Sequence, residues 1–220
     1  VIGPIMAEEN VNDCLSVTVE SGIYGGTPAS TIDFGIACNA EALIGHDRQF
    51  EFYNGTGVDF TFMGAGQLDQ HGNVNATRMG NKAPGAGGFI DITTTAKNVV
   101  FCSTFTGGGL KVSFDEEKGV TIEQEGKFKK LVNSVLQISY NGELAKKRNQ
   151  NMWYVTERCV FRLTEAGMML VEVAKGIDIE RDILAQMEFV PLIAGNLKIT
   201  DPCIYKDGAF GLRERLLKQQ

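Results

Sequence analysis

Histidine is scarce in this sequence. His46 and His71 are the two present in 220 residues, and neither falls in His-Glu-x-x-His spacing or beside a group of cysteines. Zinc sites are built from such groups, so a resident metal has no support, and both histidines read as polar loop residues. The five cysteines, Cys14, Cys38, Cys102, Cys159 and Cys203, form no Cys-x-x-Cys pair. An odd, scattered set is not the framework of a small secreted domain; it points to a reducing cytoplasm and to thiols used for packing. The longest basic run is Lys146-Lys147-Arg148 in a chain of net charge −6, which leaves no electrostatic footprint for nucleic acid or an anionic membrane. No apolar run approaches the roughly 20 residues that cross a bilayer, and no basic-then-apolar leader opens the sequence. A Gly-x-Ser-x-Gly elbow and a Gly-x4-Gly-Lys-Ser/Thr phosphate loop are missing too, so hydrolase and nucleoside-triphosphatase readings fall away.

What is there has the composition of a globular protein, 43% hydrophobic and 22% charged, with one compact domain over 1–220 as the default. The sequence opens on Val1-Ile2-Gly3-Pro4 without Met and reads like the inside of a longer chain or a processed subunit. Leu15 to Glu20 alternates apolar and polar residues, the pattern of a half-buried strand with Leu15, Val17 and Val19 inward and Glu20 on the polar face at its end. Another alternating strand covers 58–63 and runs into a Gly- and Asn-rich stretch as far as Gly88. Strand-like runs follow at 98–105, 110–114, 119–123, 135–140, 153–163 and 168–174. Helices are expected at 40–44, 142–150, 178–187 and 212–219, the third opened by a cap at Asp178. The fold class is α/β.

Two features carry potential chemistry. Glu20 stands at a strand end before Ser21-Gly22 and Gly25-Gly26, where glycines leave room for a bulky partner and expose amide N–H groups; its plain alternative is a solvated turn residue. Pro84-Gly85-Ala86-Gly87-Gly88 is a second glycine turn, either an anion-binding nest or a tight turn between loop and strand.

With their surroundings these segments resemble the family I coenzyme A transferases. Val19-Glu20-Ser21-Gly22 is similar to the family's Ser-Glu-Asn-Gly signature, departing at Val19 and Ser21 in the manner of the single-chain enzymes that use acetate, propionate and other short-chain acids. Gly64-Ala65-Gly66-Gln67-Leu68-Asp69-Gln70-His71-Gly72-Asn73 resembles the family's Gly-Ala-x-Gln-Val-Asp-x-x-Gly-Asn stretch, and Pro84 to Gly88 its Pro-Gly-x-Gly-Gly turn. Tyr154 to Phe161 and Gly176 to Leu184 look like the closing segments of the same enzymes. The order of the blocks matches, and the resemblance runs over roughly residues 1 to 190.

The resemblance implies the C-terminal, or beta, glutamate-bearing half of such an enzyme, with an open, mixed, mainly parallel sheet and flanking helices. It implies transfer of CoA between an acyl-CoA and a small carboxylic acid by ping-pong kinetics. Glu20 would be the nucleophile; Gly87 and Gly88, with Gly85, would be the first candidates for the oxyanion and CoA contacts, and Gly25 and Gly26 the second. CoA enters as substrate and covalent intermediate, with no permanently bound cofactor and no metal. An N-terminal, alpha half is implied as partner in a homo- or hetero-oligomer, so the chain by itself lacks part of the site. Two other readings remain: a sugar-phosphate isomerase on a related α/β sheet, with the acid as a proton-transfer base, and an acyl-CoA-binding subunit without catalysis.

Overall fold

The computed structural model describes residues 2–218. They pack into two compact units where length made one the default: the first holds the chain up to Gly55 and from Lys206 onward, the second Thr56–Tyr205.

The first unit is built from short elements: α1 (Ile2–Glu8), β1 (Thr18–Val19), β2 (Ile23–Tyr24), β3 (Thr27–Pro28), β4 (Ala37–Cys38), β5 (Ala42–Leu43), α2 (His46–Gly55) and a C-terminal helix, Leu212–Leu217. The expected end of that last helix, at 219, lies outside the described residues. β1, β2 and β5 form an antiparallel sheet in that order, and β3 pairs with β4. The strand expected over 15–20 is cut to two residues, because only Thr18 and Val19 find cross-strand partners, in Tyr24 and Ile23. Leu15 is 52% exposed rather than inward, whereas Val19 is buried. The helix expected at 40–44 is instead β5: Glu41 N–H donates to Tyr24 O and Ile44 N–H to Gly22 O, drawing the segment onto β2. Hydrogen bonding to a neighbouring strand has overridden local propensity.

Chain ends distant in sequence are clamped in this unit. The buried Glu9 carboxylate accepts the N–H groups of Phe210 at 2.6 Å and Leu212 at 2.7 Å. Burial pushes its carboxyl up, but the N–H groups of Leu212, Phe210 and Gly211 outweigh that and hold it below the ordinary value. Asp13 takes two bonds from Arg213, at 2.5 and 2.8 Å, and this guanidinium lowers its carboxyl from 3.8 to about 2.

The second unit centres on a six-stranded sheet. Its strands are β6 (Phe60–Gly64), β9 (Asn98–Cys102), β15 (Asn151–Val155), β16 (Cys159–Thr164), β17 (Gly167–Val173) and β18 (Leu192–Ile199), in spatial order β18-β17-β16-β15-β9-β6. Pairs β6/β9, β9/β15 and β17/β18 are parallel and the two between them antiparallel. The sheet is therefore mixed and mainly parallel, as expected. Intervening pairs are β7 (Gln67–Asp69) with β8 (Val74–Asn75) and β14 (Leu131–Val132), β10 (Thr106–Gly107) with β13 (Phe128–Lys129), and the hairpin β11 (Lys111–Asp115) and β12 (Gly119–Gln124). Helices α3 (Phe89–Thr95) and α4 (Gly142–Lys147) complete the unit. Val99, Phe101, Met152, Tyr154, Phe161 and Leu170 are fully buried, and Phe101 stacks on Phe89 at 5.8 Å and meets Tyr140 edge-on at 5.2 Å.

Three sequence expectations change here. The single run 153–163 is a hairpin, β15 and β16, turned at Thr156, whose N–H donates to Cys159 O. No strand spans 135–140. Val135 and Leu136 give their N–H groups to the side chains of Asp69 and Gln67, leaving only an isolated bridge from Tyr140 to Val74. The helix expected over 178–187 is a π turn, Ile179–Ile183, followed by one 3₁₀ turn, Leu184–Gln186. Its cap is as expected: the Asp178 side chain accepts from Arg181 N–H at 2.8 Å. Thiols differ as well, since Cys159 alone is buried while Cys38 and Cys102 are exposed; burial pushes the Cys159 thiol up to about 12, which makes it inert.

A buried cation ties the second unit together. The Arg158 side chain is fully buried, with Nε on Glu157 at 2.7 Å, Nη1 and Nη2 on the two oxygens of Glu125 at 2.9 and 3.1 Å, and Nη1 also on Asp182 O at 2.7 Å. Its guanidinium lies 4.6 Å from the centre of the Phe105 ring. Burial pushes the Glu125 carboxyl up, and the bonds from Arg158 and Thr106 outweigh it, so the group stays below its usual value.

Two outcomes follow from these contacts. Arg158→Ala leaves two carboxylates without their cation and should cost about 3–5 kcal/mol, read as a lower urea midpoint for the second unit. The Asp13–Arg213 clamp is fully present above pH 3.8 and is lost as pH falls through about 2, since a depressed carboxyl stabilises the fold only while ionised. Acid titration should therefore expose the C-terminal helix to proteolysis over that interval, and Asp13→Asn should remove the dependence.

Candidate active site

Glu20 sits at the tip of the hairpin joining β1 to β2. The loop is three residues long, Glu20-Ser21-Gly22, closed by Gly22 N–H to Val19 O at 2.9 Å. Gly22 has φ +102, and a Cβ there would stand 2.1 Å from Ile44 O, so only glycine fits. Ser21 Oγ donates to Gly35 O at 2.7 Å, and Ile44 N–H bonds Gly22 O at 2.8 Å. Both residues that follow Glu20 are thus spent on bracing the loop, while the Glu20 side chain is half-buried and not engaged in an ion pair among the described residues. A carboxylate on a braced tip is presented rather than absorbed by the fold.

Gly25 and Gly26 follow β2 in the same unit. Gly25 N–H is taken by Val17 O at 2.8 Å. Added Cβ atoms would meet the Glu41 side chain at 2.6 Å and Cys38 O at 2.3 Å, respectively. Their glycine character is accounted for by close crossing of the chain at positive φ, +68 and +70.

Gly85, Gly87 and Gly88 belong to the second unit. Gly85 and Gly87 have φ of +96 and +51, and a Cβ on either would meet nothing within 4 Å. Crowding does not account for these two glycines; backbone conformation does. The turn leads into a helix and not the strand expected: Gly88 caps α3, with Ile92 N–H bonded to its carbonyl at 3.1 Å and Phe89 N–H to Ala86 O at 3.0 Å. Among the described residues the N–H groups of 85–88 donate to no backbone acceptor; Gly85 and Gly87 are exposed and Gly88 is buried.

Other blocks singled out in the sequence turn out to shape the chain. Buried Asp69 accepts the N–H groups of His71 at 3.0 Å and Asn73 at 3.1 Å and the Asn73 side chain at 3.0 Å, which folds the β7–β8 turn. His71 is exposed on that turn. His46 is not a loop residue: it opens α2 and stacks on Phe50 at 4.9 Å. Lys82 lies exposed in the loop before Pro84. Among the described residues, no group of three or more His, Cys, Asp or Glu gathers to hold a metal, and no helix is long and apolar enough to cross a membrane.

The sequence reading missed α2 and what it brings to the Glu20 unit. Tyr53 is buried and its hydroxyl lies 2.9 Å from Thr18 Oγ1; Gln49, one turn earlier, is fully buried. The signal available was the spacing His46, Gln49, Phe50, Tyr53, a helical face blurred by the polar residues among them.

No family model matches the sequence. Acetate CoA-transferase YdiF of Escherichia coli strain K12 is 40% identical over 210 residues, 96% of this chain and 39% of that protein. Caffeate CoA-transferase of Acetobacterium woodii is 38% identical over 216 residues, again 96% of this chain and 41% of that protein. The crystal structure of the acyl-CoA transferase YdiF apoenzyme from Escherichia coli O157:H7 superposes with a TM-score of 0.89 at 39% identity, covering 96% of this chain and 40% of that one. Glutaconate CoA-transferase from Acidaminococcus fermentans, at 18% identity and TM-score 0.66, shares the fold. The chain spans about two fifths of the length of the relatives it matches at 38–40% identity. Over nearly its whole length, then, this chain belongs to the CoA-transferase family.

Proposed function

We propose that this chain carries the nucleophile of an enzyme that moves CoA from an acyl-CoA to a free carboxylic acid, with acetate and other short-chain acids as the substrate class. The observation that carries the reading is the 40% identity to an acetate CoA-transferase over 96% of the chain, joined to a carboxylate held on a braced hairpin tip. A free carboxylate is a poor acceptor of CoA because its carbonyl is resonance-stabilised, so it has to be activated first. A Glu20 oxygen attacks the acyl-CoA carbonyl carbon; the C–S bond breaks, CoA leaves as thiolate, and an acyl-glutamyl anhydride remains. The thiolate then attacks the glutamyl carbonyl carbon, releasing the donor carboxylate and leaving a glutamyl-CoA thioester. An acceptor carboxylate attacks that thioester, and the thiolate returns to the acceptor's carbonyl, regenerating Glu20. This is covalent catalysis with ping-pong kinetics. A solved structure of the YdiF acyl-CoA transferase is a thioester complex with CoA, and the chain superposes on it with a TM-score of 0.88 at 38% identity.

Each attack passes through a tetrahedral oxyanion, for which preorganised N–H donors are needed; loss of one such donor costs about a hundredfold or more in rate. The sequence resemblance makes Gly87 and Gly88, with Gly85 in the same turn, the candidates for such donors. Gly25 is the weaker choice because Val17 O already holds its N–H.

The rest of the site belongs to a partner half. In support, the chain matches about two fifths of its relatives, and a 92-residue stretch is 34% identical to one of the separate subunits of the 3-oxoadipate CoA-transferase of Pseudomonas knackmussii. Ile32, Phe34, Ile36 and Leu43 are 60–95% exposed in the Glu20 unit, an apolar surface of the kind that associates. The fold leaves the chemistry open, because the decarboxylase AibA/AibB shares it at 16% identity and TM-score 0.68.

Mass spectrometry tests the reading directly. The chain mixed with its partner half and acetyl-CoA should carry a CoA-mass adduct on the Glu20 peptide, absent in Glu20→Gln, with acyl exchange abolished in that variant. Exchange without the adduct would remove Glu20 as nucleophile. Neither adduct nor exchange would favour the binding or isomerase reading.

A further inference from the structure

Beneath the Glu20 hairpin the first unit buries polarity that its small core does not require. Gln49 and Tyr53 are one turn apart on α2 and so share a face of the helix. Tyr53 is 3% exposed and Gln49 0%. The Tyr53 hydroxyl bonds Thr18 Oγ1 at 2.9 Å, and Gln49 approaches that hydroxyl without either atom of its amide completing a hydrogen bond. Thr18 lies in β1 two residues before Glu20, which opens the hairpin tip, and the charge of Glu20 reaches the Tyr53 hydroxyl.

A glutamine in this position is a poor packing residue. Burying an amide that lacks partners is unfavourable, whereas a methionine of similar length would fill the same space with no polar atoms to satisfy. Orphaned buried polar groups are rare in native folds and call for an account, and places where a local rule is broken gather at functional sites. The tyrosine is likewise more than packing, because it fastens β1, the strand that leads into the Glu20 tip. Burial raises the Tyr53 phenol above its ordinary value against the opposing bond with Thr18, and the charge of Glu20 adds in the same direction as burial. It therefore stays protonated whatever form Glu20 takes.

We propose that Gln49 and Tyr53 are positioning residues for Glu20, a buried polar floor that holds Thr18, and through it the hairpin tip, as the Glu20 carboxyl cycles between carboxylate, anhydride and thioester. The inference rests on the nucleophilic role of Glu20 proposed above. The tip must present its carboxyl first as an attacking oxygen and then as an attacked carbonyl carbon, to partners arriving from the same side. The Tyr53 hydroxyl already bonds Thr18, and the uncommitted Gln49 amide beside it can donate or accept as the state of the tip requires, since a neutral hydroxyl and an amide each offer both kinds of group. Neither residue forms a covalent bond, and their contribution is to the geometry of attack.

The test uses the assembled enzyme, this chain with its partner half, in three variants: Gln49→Met, Tyr53→Phe and Glu20→Gln. The positioning role predicts that Gln49→Met lowers kcat by about tenfold or more with KM for acyl-CoA and acid within about twofold, while Tm is unchanged or higher because two unsatisfied atoms leave the core. Tyr53→Phe should do the same to kcat, and the double variant should lose less than the product of the two, as residues acting together do. Wild-type kcat in Gln49→Met overturns the inference. So does a loss of activity accompanied by a lower Tm and recovered on cooling, which is the mark of a packing role. Glu20→Gln separates the two claims: if it abolishes exchange while Gln49→Met is silent, the positioning role alone fails, and if it retains exchange, both fail.

Discussion

A guanidinium withdrawn wholly from water is stable only when every face of it is answered, and the second unit is organised around meeting that condition for Arg158. Taking a charge out of solvent costs several kcal/mol after relaxation. The attraction of Glu157 and Glu125, the carbonyl of Asp182 and the ring of Phe105 offset it together. These partners come from the β15–β16 turn, the segment after β12, the π turn and the loop leaving β9. The Glu157 carboxylate also accepts Phe105 N–H at 2.9 Å, and Glu125 accepts from Thr106 and Gly126. One buried ion thereby fixes where four distant stretches of chain meet. Such a network adds specificity more than net stability, because any other packing of these segments would leave a buried charge unpaired.

The blocks that resemble family signatures divide into two kinds when their contacts are followed. Asp69, Gly72 and Asn73 fold a turn: the carboxylate collects the local N–H groups, and a Cβ on Gly72 would collide with Leu163 at 2.7 Å. Glu157 and Arg158 hold the ion network, and Asp178 and Asp182 cap and brace the π turn. These are instructions for the backbone. Glu20 is of the other kind. Ser21 and Gly22 beside it are consumed in making the hairpin rigid, and the carboxylate at its tip serves no bond that the fold needs. In the glycine turn at 85–88, Gly85 and Gly87 have positive φ without crowding, and among the described residues no backbone acceptor takes the turn's amides.

Much of this was legible in the sequence because it is local. The alternation at 58–63 and 98–105, the cap at Asp178, the helix from Gly142 and the helix from Leu212 depend on neighbours within a few residues, and the structure has them close to where the pattern puts them. The hairpin tip at Glu20 was legible for the same reason, since a carboxylate followed by Ser-Gly encodes a turn. The failures are equally physical. Residues 40–44 have helical composition but lie along β2, whose free N–H and C=O groups take them as a third strand. Residues 135–140 look like a strand, but Val135 and Leu136 give their amides to Asp69 and Gln67, side chains more than 60 positions away. The π turn at 179–183 replaces a regular helix where the Asp182 carbonyl is claimed by Arg158.

Sequence alone determined the class of fold and the family, and it singled out Glu20 as the candidate carboxylate, because periodicity, turn chemistry and ordered motifs are properties of contiguous residues. Tertiary structure decided which polar groups are used up and which are left free. It buried Arg158 among two glutamates, spent the Gly25 amide on Val17, and placed Gln49 and Tyr53 under Thr18, beside the strand that leads into the Glu20 tip. Those facts depend on residues far apart in the chain meeting in space, and no local pattern carries them: whether a side chain can hydrogen-bond, titrate or react is set by what surrounds it after folding.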